Sequence, residues 1–179
     1  MPSGFVAESI DRLLAGEDLG REGAERALGE VLRGEAGEPQ TAGLLIALRA
    51  KGETASELAG LAAAIRGAAE RGPTPSGPVV DTCGTGGGRS TFNISTTAAF
   101  VAAGAGAVVA KHGNRSATSK SGSADVLEAL GARIDLSPEA VSECMATTGV
   151  GFMFAPAHHP AFRHVVPVRR ALGVRRVFN

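Results

Sequence analysis

A polar segment of fifteen residues is the part of this sequence whose side chains could do chemistry. It covers residues 111–125, and eleven of its side chains are polar. The chain has only three lysines against fifteen arginines, and two of the lysines, Lys111 and Lys120, lie in this segment. Because an ammonium is a compact point charge rather than a flat guanidinium fork, their placement predicts a ligand site. A merely solvated loop would not explain it.

Two shorter segments upstream favour an anionic ligand. Residues 81–88 are a predicted strand end followed by four glycines in five positions, and glycine lets backbone amides approach an anion closely. Residues 91–96 place hydroxyls and an amide before a predicted helix, where unpaired amides and the helix dipole attract negative charge. The alternative interpretation of the second segment is simple capping of that helix by Ser95 or Thr96.

We interpret the three segments as one anion-binding rim, because ligands of parallel α/β sheets bind outside the carboxyl ends of the strands. A rim of this extent predicts a ligand with more than one phosphate. The sequence has no Gly-x-x-x-x-Gly-Lys-[Ser/Thr] motif, and its glycine run lacks the Gly-x-Gly-x-x-Gly spacing. The rim is therefore predicted to be neither a P-loop nor a dinucleotide site.

The residues before the rim have the periodicity of helices. Apolar residues recur at helical spacing over residues 5–14 and 22–32, and a third predicted helix covers residues 39–50. A fourth helix begins at a capping box formed by Thr54 and Glu57 and runs to about residue 70. Four helices with short connections predict a small helical domain.

Prolines and glycines crowd residues 71–78, which we interpret as the boundary between a helical domain, residues 1–72, and an α/β domain, residues 78–159. Beyond this boundary the predicted strands are residues 79–81, 107–110, one that starts at residues 133–134, and 150–154. The predicted helices between them begin at Ser95 or Thr96, at Ser123 and at Ser137, and a last helix over residues 160–172 is expected to join the helical domain.

Short apolar strands that alternate with helices indicate a parallel sheet. The predicted fold class is therefore α/β, with a small N-terminal helical domain and a parallel-sheet α/β domain. Because parallel sheets are usually larger and covered on both faces, we expect this sheet to be incomplete in a chain that stops at residue 179.

The motifs closely resemble those of the anthranilate phosphoribosyltransferases, in the superfamily of nucleoside phosphorylases and phosphoribosyltransferases. The matching segments are residues 84–87, 93–96, 111–115, 119–131 and 154–161, with Val168, Arg169, Leu172 and Gly173 after them. In the helical part, Gln40 and residues 51–54 fit the family's small domain. The resemblance covers essentially the whole chain.

The resemblance implies transfer of a phosphoribosyl group from phosphoribosyl pyrophosphate to anthranilate in tryptophan biosynthesis, with Mg²⁺ as cofactor, in a cytoplasmic homodimer formed through the helical domain. It implies donor contacts from Gly84, Thr85, Gly86, Gly87, Asn93, Ser95, Thr96, Lys111 and Ser123. It implies that His112, Asn114 and Arg169 bind anthranilate and that Ser95 also lies near the magnesium ion. No residue is assigned as an essential general base, because an aromatic amine is already a free nucleophile at neutral pH.

The sequence departs from the family pattern in two places. Gly88 stands where the family usually has Asp after the Gly-Thr-Gly-Gly run, and the stretch from there to Asn93 is one residue short. We therefore expect a donor-binding carboxylate to be missing or replaced. Family members also continue past residue 179 and carry a later Asp-Glu pair that binds magnesium, so we expect those ligands to be lacking here.

Two other functions remain as alternatives. A pyrimidine nucleoside phosphorylase has a similar fold, but it would carry Lys-His-Ser-Thr-Gly-Gly where residues 82–87 of this chain read Thr-Cys-Gly-Thr-Gly-Gly. A non-catalytic module would only bind phosphate or dimerise through its helices.

Composition argues against several other classes of protein. The 18 basic residues balance 18 acidic ones, whereas nucleic acids and anionic membranes attract a net basic face. No apolar stretch is long enough to cross a bilayer, and residues 1–11 lack the basic region of a signal peptide. Cys83 and Cys144 are expected to be reduced thiols, with no disulfide or metal between them.

Overall fold

The computed structural model describes residues 4–84, 92–116 and 121–173 and contains two compact units. One unit comprises the residues up to Ala69 together with those from His159 onward, and the other comprises Glu70–His158. The first unit is helical and the second contains a parallel sheet with helices, which confirms the predicted fold class. The predicted division into a helical domain that ends at residue 72 and an α/β domain that begins at residue 78 stays a prediction.

The described helices are, in chain order, α1 (Phe5–Leu14), α2 (Gly20–Leu32), α3 (Glu38–Lys51), α4 (Ala55–Gly67), α5 (Ile94–Gly104), α6 (Ser123–Ala129), α7 (Pro138–Thr148), α8 (Ala155–His158) and α9 (Val166–Leu172). The described strands are β1 (Val79–Val80), β2 (Val108–Gly113) and β3 (Val150–Phe154), and a 3-10 helix, Pro160–His164, lies between α8 and α9. The first four helices therefore confirm the predictions from periodicity, although α4 ends at Gly67 rather than near residue 70.

The core of the helical unit consists of apolar side chains from α1 to α4 and from α9. Its most buried members include Val6, Leu13, Leu28, Val31, Leu44, Leu48, Leu61 and Val168. At Gly60 the packing brings α4 against the backbone of α2, because a Cβ added there would lie 2.0 Å from the carbonyl oxygen of Arg21. A glycine at this position therefore allows the two helices to cross in contact.

The predicted capping box at the start of α4 is confirmed and extends into a buried polar cluster. The Oγ1 of Thr54 accepts from the amide of Glu57 at 3.2 Å, and the Oε2 of Glu57 accepts from the amide of Thr54 at 2.9 Å. The fully buried Glu57 carboxylate also accepts from the amide of Leu19 and from the Nζ of Lys51, each at 2.9 Å. This side chain therefore links α4 both to α3 and to the residue that precedes α2.

The described sheet has three parallel strands in the order β1-β2-β3. The strand predicted over residues 133–134 is wrong: both residues are described and lie outside the sheet. Ile134 is buried against Ala124 and Leu127 of α6, while the side chain of Arg133 is exposed. The apolar residue between α6 and α7 thus packs on a helix instead of pairing in the sheet. Two residues are too few for apolar periodicity to distinguish a strand from a connecting segment that packs on a helix.

The predicted caps of two site helices also need correction. The N-cap of α5 is Asn93, so neither Ser95 nor Thr96 caps that helix. The N-cap of α6 is Gly122 rather than Ser123, and the Asp125 carboxylate accepts from the Gly122 amide at 2.7 Å. At α7 the Ser137 cap is confirmed, because its Oγ accepts from the Ala140 amide at 3.3 Å.

Candidate phosphate-binding site

The site lies where β1 ends beside β2, which continues to Gly113. Val80 pairs with Val109 in the last register position of the two strands. Just beyond it, the Oδ1 of Asp81 accepts from the amide of Cys83 at 2.9 Å and from the amide of His112 at 3.2 Å. The residues that follow β1, up to Cys83, are therefore held beside the end of β2, which carries Lys111.

Lys111 is a buried cation at this edge. Its side chain is only 2% exposed, and its Nζ donates to the carbonyl oxygen of His112 at 3.0 Å. Burial lowers the pKa of Lys111, and the nearby charge of Asp81 partly opposes that shift. Within the described part of the chain no carboxylate forms an ion pair with this ammonium. An anion is the ligand that such an ammonium would favour.

Lys111 also lines a mostly apolar cavity of about 160 Å³ within the sheet unit. Leu127, Val150 and Phe152 line the same cavity, as does Thr96 from α5. Thr96 is 4% exposed, and no described residue bonds its Oγ1. The cavity thus brings Lys111 together with the hydroxyl residues Thr96 and Thr148 in a mostly apolar lining.

His112 is half-buried next to Lys111. Burial lowers the pKa of His112; the positive charge of Lys111 acts in the same direction, and Asp81 opposes both. The imidazole therefore favours its neutral form more than a solvated histidine does. A neutral imidazole can both donate and accept a hydrogen bond, which suits orientation of a polar substrate.

Two hydrogen bonds attach the start of α5 to the other segments of the rim. The Oγ1 of Thr82 donates to the carbonyl oxygen of Ser95 at 2.8 Å. The Nδ2 of Asn93 donates to the carbonyl oxygen of Ser121 at 3.3 Å. The N-terminus of α5 is therefore tied to the segment after β1 and to the residues that precede α6.

The polar loop after β2 is held at both ends by α6. The Oδ2 of Asp125 accepts from the amides of Ser116 and Gly122 at 2.9 and 2.7 Å. Arg115 forms a two-point ion pair with Glu128, whose Oε1 accepts from Nη2 at 2.8 Å. Sequence reasoning did not assign Asp125 a role. Its position in the first turn of a predicted helix was the available signal.

The predicted site residues divide into three groups. In the sheet unit the structure describes Gly84, Asn93, Ser95, Thr96, Lys111, His112, Asn114 and Ser123. Arg169 lies on α9 of the helical unit. Thr85, Gly86 and Gly87 lie outside the described residues, as do Gly88 and Lys120.

Asn114 has a partner within its own loop. It is exposed, and its Oδ1 accepts from the amide of Arg115 at 2.7 Å.

Among residues 4–84, 92–116 and 121–173, no cluster of three or more histidine, cysteine or acidic side chains could hold a metal ion. In the same ranges no helix has the length and apolarity needed to cross a membrane.

Comparison with known families agrees with this geometry. Residues 76–179 match the α/β domain of a glycosyl transferase family, and residues 7–69 match the helical bundle domain of such a family. The chain belongs to this glycosyl transferase family.

The resemblance to anthranilate phosphoribosyltransferases is also confirmed. The chain is 58% identical over 176 residues to the enzyme of that name from Rubrobacter xylanophilus. The aligned segment covers 98% of this chain and 51% of the relative. The crystal structure of the Thermus thermophilus enzyme is 45% identical, with a TM-score of 0.85 over 95% of this chain and 52% of that one. The Saccharomyces cerevisiae enzyme in complex with phosphoribosyl pyrophosphate and Mg is 28% identical, with a TM-score of 0.86 over 97% and 52%. The chain therefore spans about half the length of these relatives.

Proposed function

We propose that this chain catalyses transfer of the 5-phosphoribosyl group from phosphoribosyl pyrophosphate to anthranilate. The products are N-(5-phosphoribosyl)anthranilate and pyrophosphate, and the reaction belongs to tryptophan biosynthesis. The observation that carries the proposal is the buried Lys111 ammonium at the carboxyl end of β2, with no carboxylate ion-paired to it in the described ranges. The similarity to enzymes of that activity supports the choice of substrates.

In the proposed reaction the bond between the ribose C1 and the pyrophosphate oxygen breaks, and a bond forms between C1 and the anthranilate nitrogen. Pyrophosphate leaves with the bonding electron pair, and the amine then loses a proton. The ammonium of Lys111 would stabilise the negative charge that grows on the leaving group, and the fixed backbone of the rim would hold the two substrates in reach of each other.

The remaining donor contacts are proposed for the glycine run and the start of α5. The backbone of Gly84, Thr85, Gly86 and Gly87 would approach the pyrophosphate, and Asn93, Ser95, Thr96 and Ser123 would bind phosphate oxygens. The Ser95 hydroxyl is a hard oxygen donor that fits Mg²⁺, which proteins often hold with few side chains and complete with substrate phosphates. When bound, Mg²⁺ would neutralise charge on the pyrophosphate.

The anthranilate contacts are proposed for His112, Asn114 and Arg169. A guanidinium can pair with a carboxylate through two parallel hydrogen bonds, so Arg169 suits the anthranilate carboxylate. His112, whose pKa is lowered by burial, suits orientation of the substrate rather than pairing with its charge. We further propose that the protein acts in the cytoplasm as a homodimer formed through its helical unit.

Neither alternative function is favoured. The relatives carry the name anthranilate phosphoribosyltransferase rather than that of a nucleoside phosphorylase. A module that only binds phosphate or dimerises remains a distinct outcome for a chain that spans about half of those relatives.

The test follows the decay of anthranilate fluorescence in the presence of phosphoribosyl pyrophosphate and Mg²⁺. The protein has no Trp and no Tyr, so its own emission interferes little. We expect donor-dependent decay that Arg169→Ala abolishes and Arg170→Ala, a change on the next residue of α9, does not. A folded chain that neither consumes anthranilate nor binds the donor in calorimetry would contradict the proposal; binding without decay would identify a phosphate-binding module.

A further inference from the structure

Asp81 is the first residue after β1, and one of its oxygens joins two parts of the candidate site. Its Oδ1 accepts from the amide of Cys83 at 2.9 Å and from the amide of His112 at 3.2 Å. The first bond closes a turn in which an aspartate bonds the backbone two residues on. The second bond reaches the neighbouring strand, 31 residues further along the chain.

The bond to His112 continues the pairing of the two strands beyond their last backbone partners. The regular register of β1 and β2 ends with Val80 and Val109. Past that point, a side-chain oxygen of Asp81 holds the His112 amide where a strand carbonyl would otherwise do so. On their other side Lys111 and His112 pair with Phe152 and Met153 of β3, so Asp81 links the residues after β1 to a stretch of β2 that β3 holds in register.

We propose that Asp81 is a positioning residue whose acceptor oxygen, rather than its charge, holds the backbone of Cys83 beside the end of β2 and so aligns Lys111 with the donor. The inference rests on the function proposed above. Asp81 acts through Lys111 and His112, because its Oδ1 accepts from two backbone amides rather than from reacting groups.

The charge of Asp81 has two opposing effects on an anionic ligand. A carboxylate repels pyrophosphate directly, while the same carboxylate lies near enough to Lys111 to favour its ammonium form. The acceptor oxygen has no such conflict, since both of its hydrogen bonds order backbone that borders the site. The two contributions can be separated because asparagine keeps the acceptor oxygen without the charge, whereas glutamate keeps the charge and displaces the acceptor by one methylene.

The experiment therefore compares Asp81→Asn with Asp81→Glu in the full chain, with calorimetric titration of phosphoribosyl pyrophosphate in Mg²⁺ and a thermal melt of each variant. We expect Asp81→Asn to bind the donor like the wild type, and Asp81→Glu to bind about ten- to a hundredfold more weakly at a similar Tm. The reverse order would show that charge is the important property and would overturn the inference. Unchanged donor binding in both variants, with or without a lower Tm, would overturn it as well.

Asp135 provides the matched control, since it lies between α6 and α7 with its side chain 78% exposed. Asp135→Asn and Asp135→Glu should leave donor binding unchanged. A wild-type chain that does not bind the donor would refute the proposed function instead. In that case amide exchange at His112 still tests the positioning role: faster exchange in Asp81→Glu than in Asp81→Asn supports it, and equal exchange in both refutes it.

Discussion

The Nζ of Lys111 donates to the carbonyl oxygen of His112 at 3.0 Å, so the ammonium lies at the end of β2 while its stem is buried below. This arrangement costs stability, because burial disfavours a charge that has no ion-pair partner in the described ranges. A group that destabilises the folded chain at a candidate site is expected to serve binding.

Replacing Lys111 should therefore weaken donor binding. Hydrogen bonds to charged groups contribute about 1.5–3 kcal/mol, so Lys111→Met is expected to raise the Kd for phosphoribosyl pyrophosphate by about ten- to a hundredfold. Isothermal titration with Mg²⁺ present measures the change. Arg49→Met removes an exposed cation from α3 and is the control. An equal loss of affinity in both variants would show a general charge effect and contradict a specific role for Lys111.

The difference in stability between the wild type and Lys111→Met should depend on pH, and the lowered pKa of Lys111 fixes the direction of the change. Because the pKa of Lys111 is lowered on folding, the unfolded chain binds more protons between the folded pKa and the usual value of 10.5. Stability from this group therefore rises as pH increases through that window. We expect Lys111→Met to be more stable than the wild type at neutral pH, and the difference in Tm to shrink as pH approaches about 10. A difference that does not change with pH would mean that the ammonium is well solvated.

In the helical unit, Gly60→Ala should destabilise the chain. An added methyl would lie 2.0 Å from the carbonyl oxygen of Arg21 and 3.0 Å from the backbone nitrogen of Glu25, so α2 and α4 must move apart. The expected loss is about 1–3 kcal/mol or more in chemical denaturation. Gly67→Ala, in open space on the same helix, should instead be neutral or raise stability by about 0.5–1 kcal/mol. Similar values for the two variants would contradict the close helix crossing.

Removing the buried carboxylate of Glu57 should lower the free energy of unfolding more than removing an exposed carboxylate does. Burial alone would raise the pKa of Glu57, but bonds from the Thr54 and Leu19 amides and from Lys51 lower it overall. The charged form is thus favoured in the fold, and its contribution is lost as pH falls from the usual value of 4.5 through the folded pKa.

We expect Glu57→Ala to cost about 3–5 kcal/mol at neutral pH, because it leaves Lys51 and two amides without this partner. Urea denaturation measures the loss, and Glu22→Ala, on the exposed face of α2, is the control. A loss below that of the control would show that solvent replaces the carboxylate.

Much of the local structure followed from short-range patterns. Apolar spacing predicted α1 and α2, and a first-turn proline before an apolar run predicted α3. The Thr54 and Glu57 pair predicted the start of α4, because its hydrogen bonds form between residues that are close in the chain. The polar loop and the glycine run were likewise predicted as ligand segments from composition alone. The roles of single side chains within them followed only from the resemblance to a family.

Other features depended on residues distant in the chain. Arg133 and Ile134 were mistaken for a strand, since only the packing of Ile134 on α6 shows that this apolar residue serves a helix. The sequence by itself determined where most helices and strands form and the capping of α4 and α7, because periodicity and capping act within a few residues; the anion-binding rim stays a prediction. Only the tertiary structure decided the burial of Lys111, the bond from Asp81 to the His112 amide and the clamp of Asp125 on its loop. These depend on which backbone atoms meet across the sheet, and no local pattern encodes such a meeting.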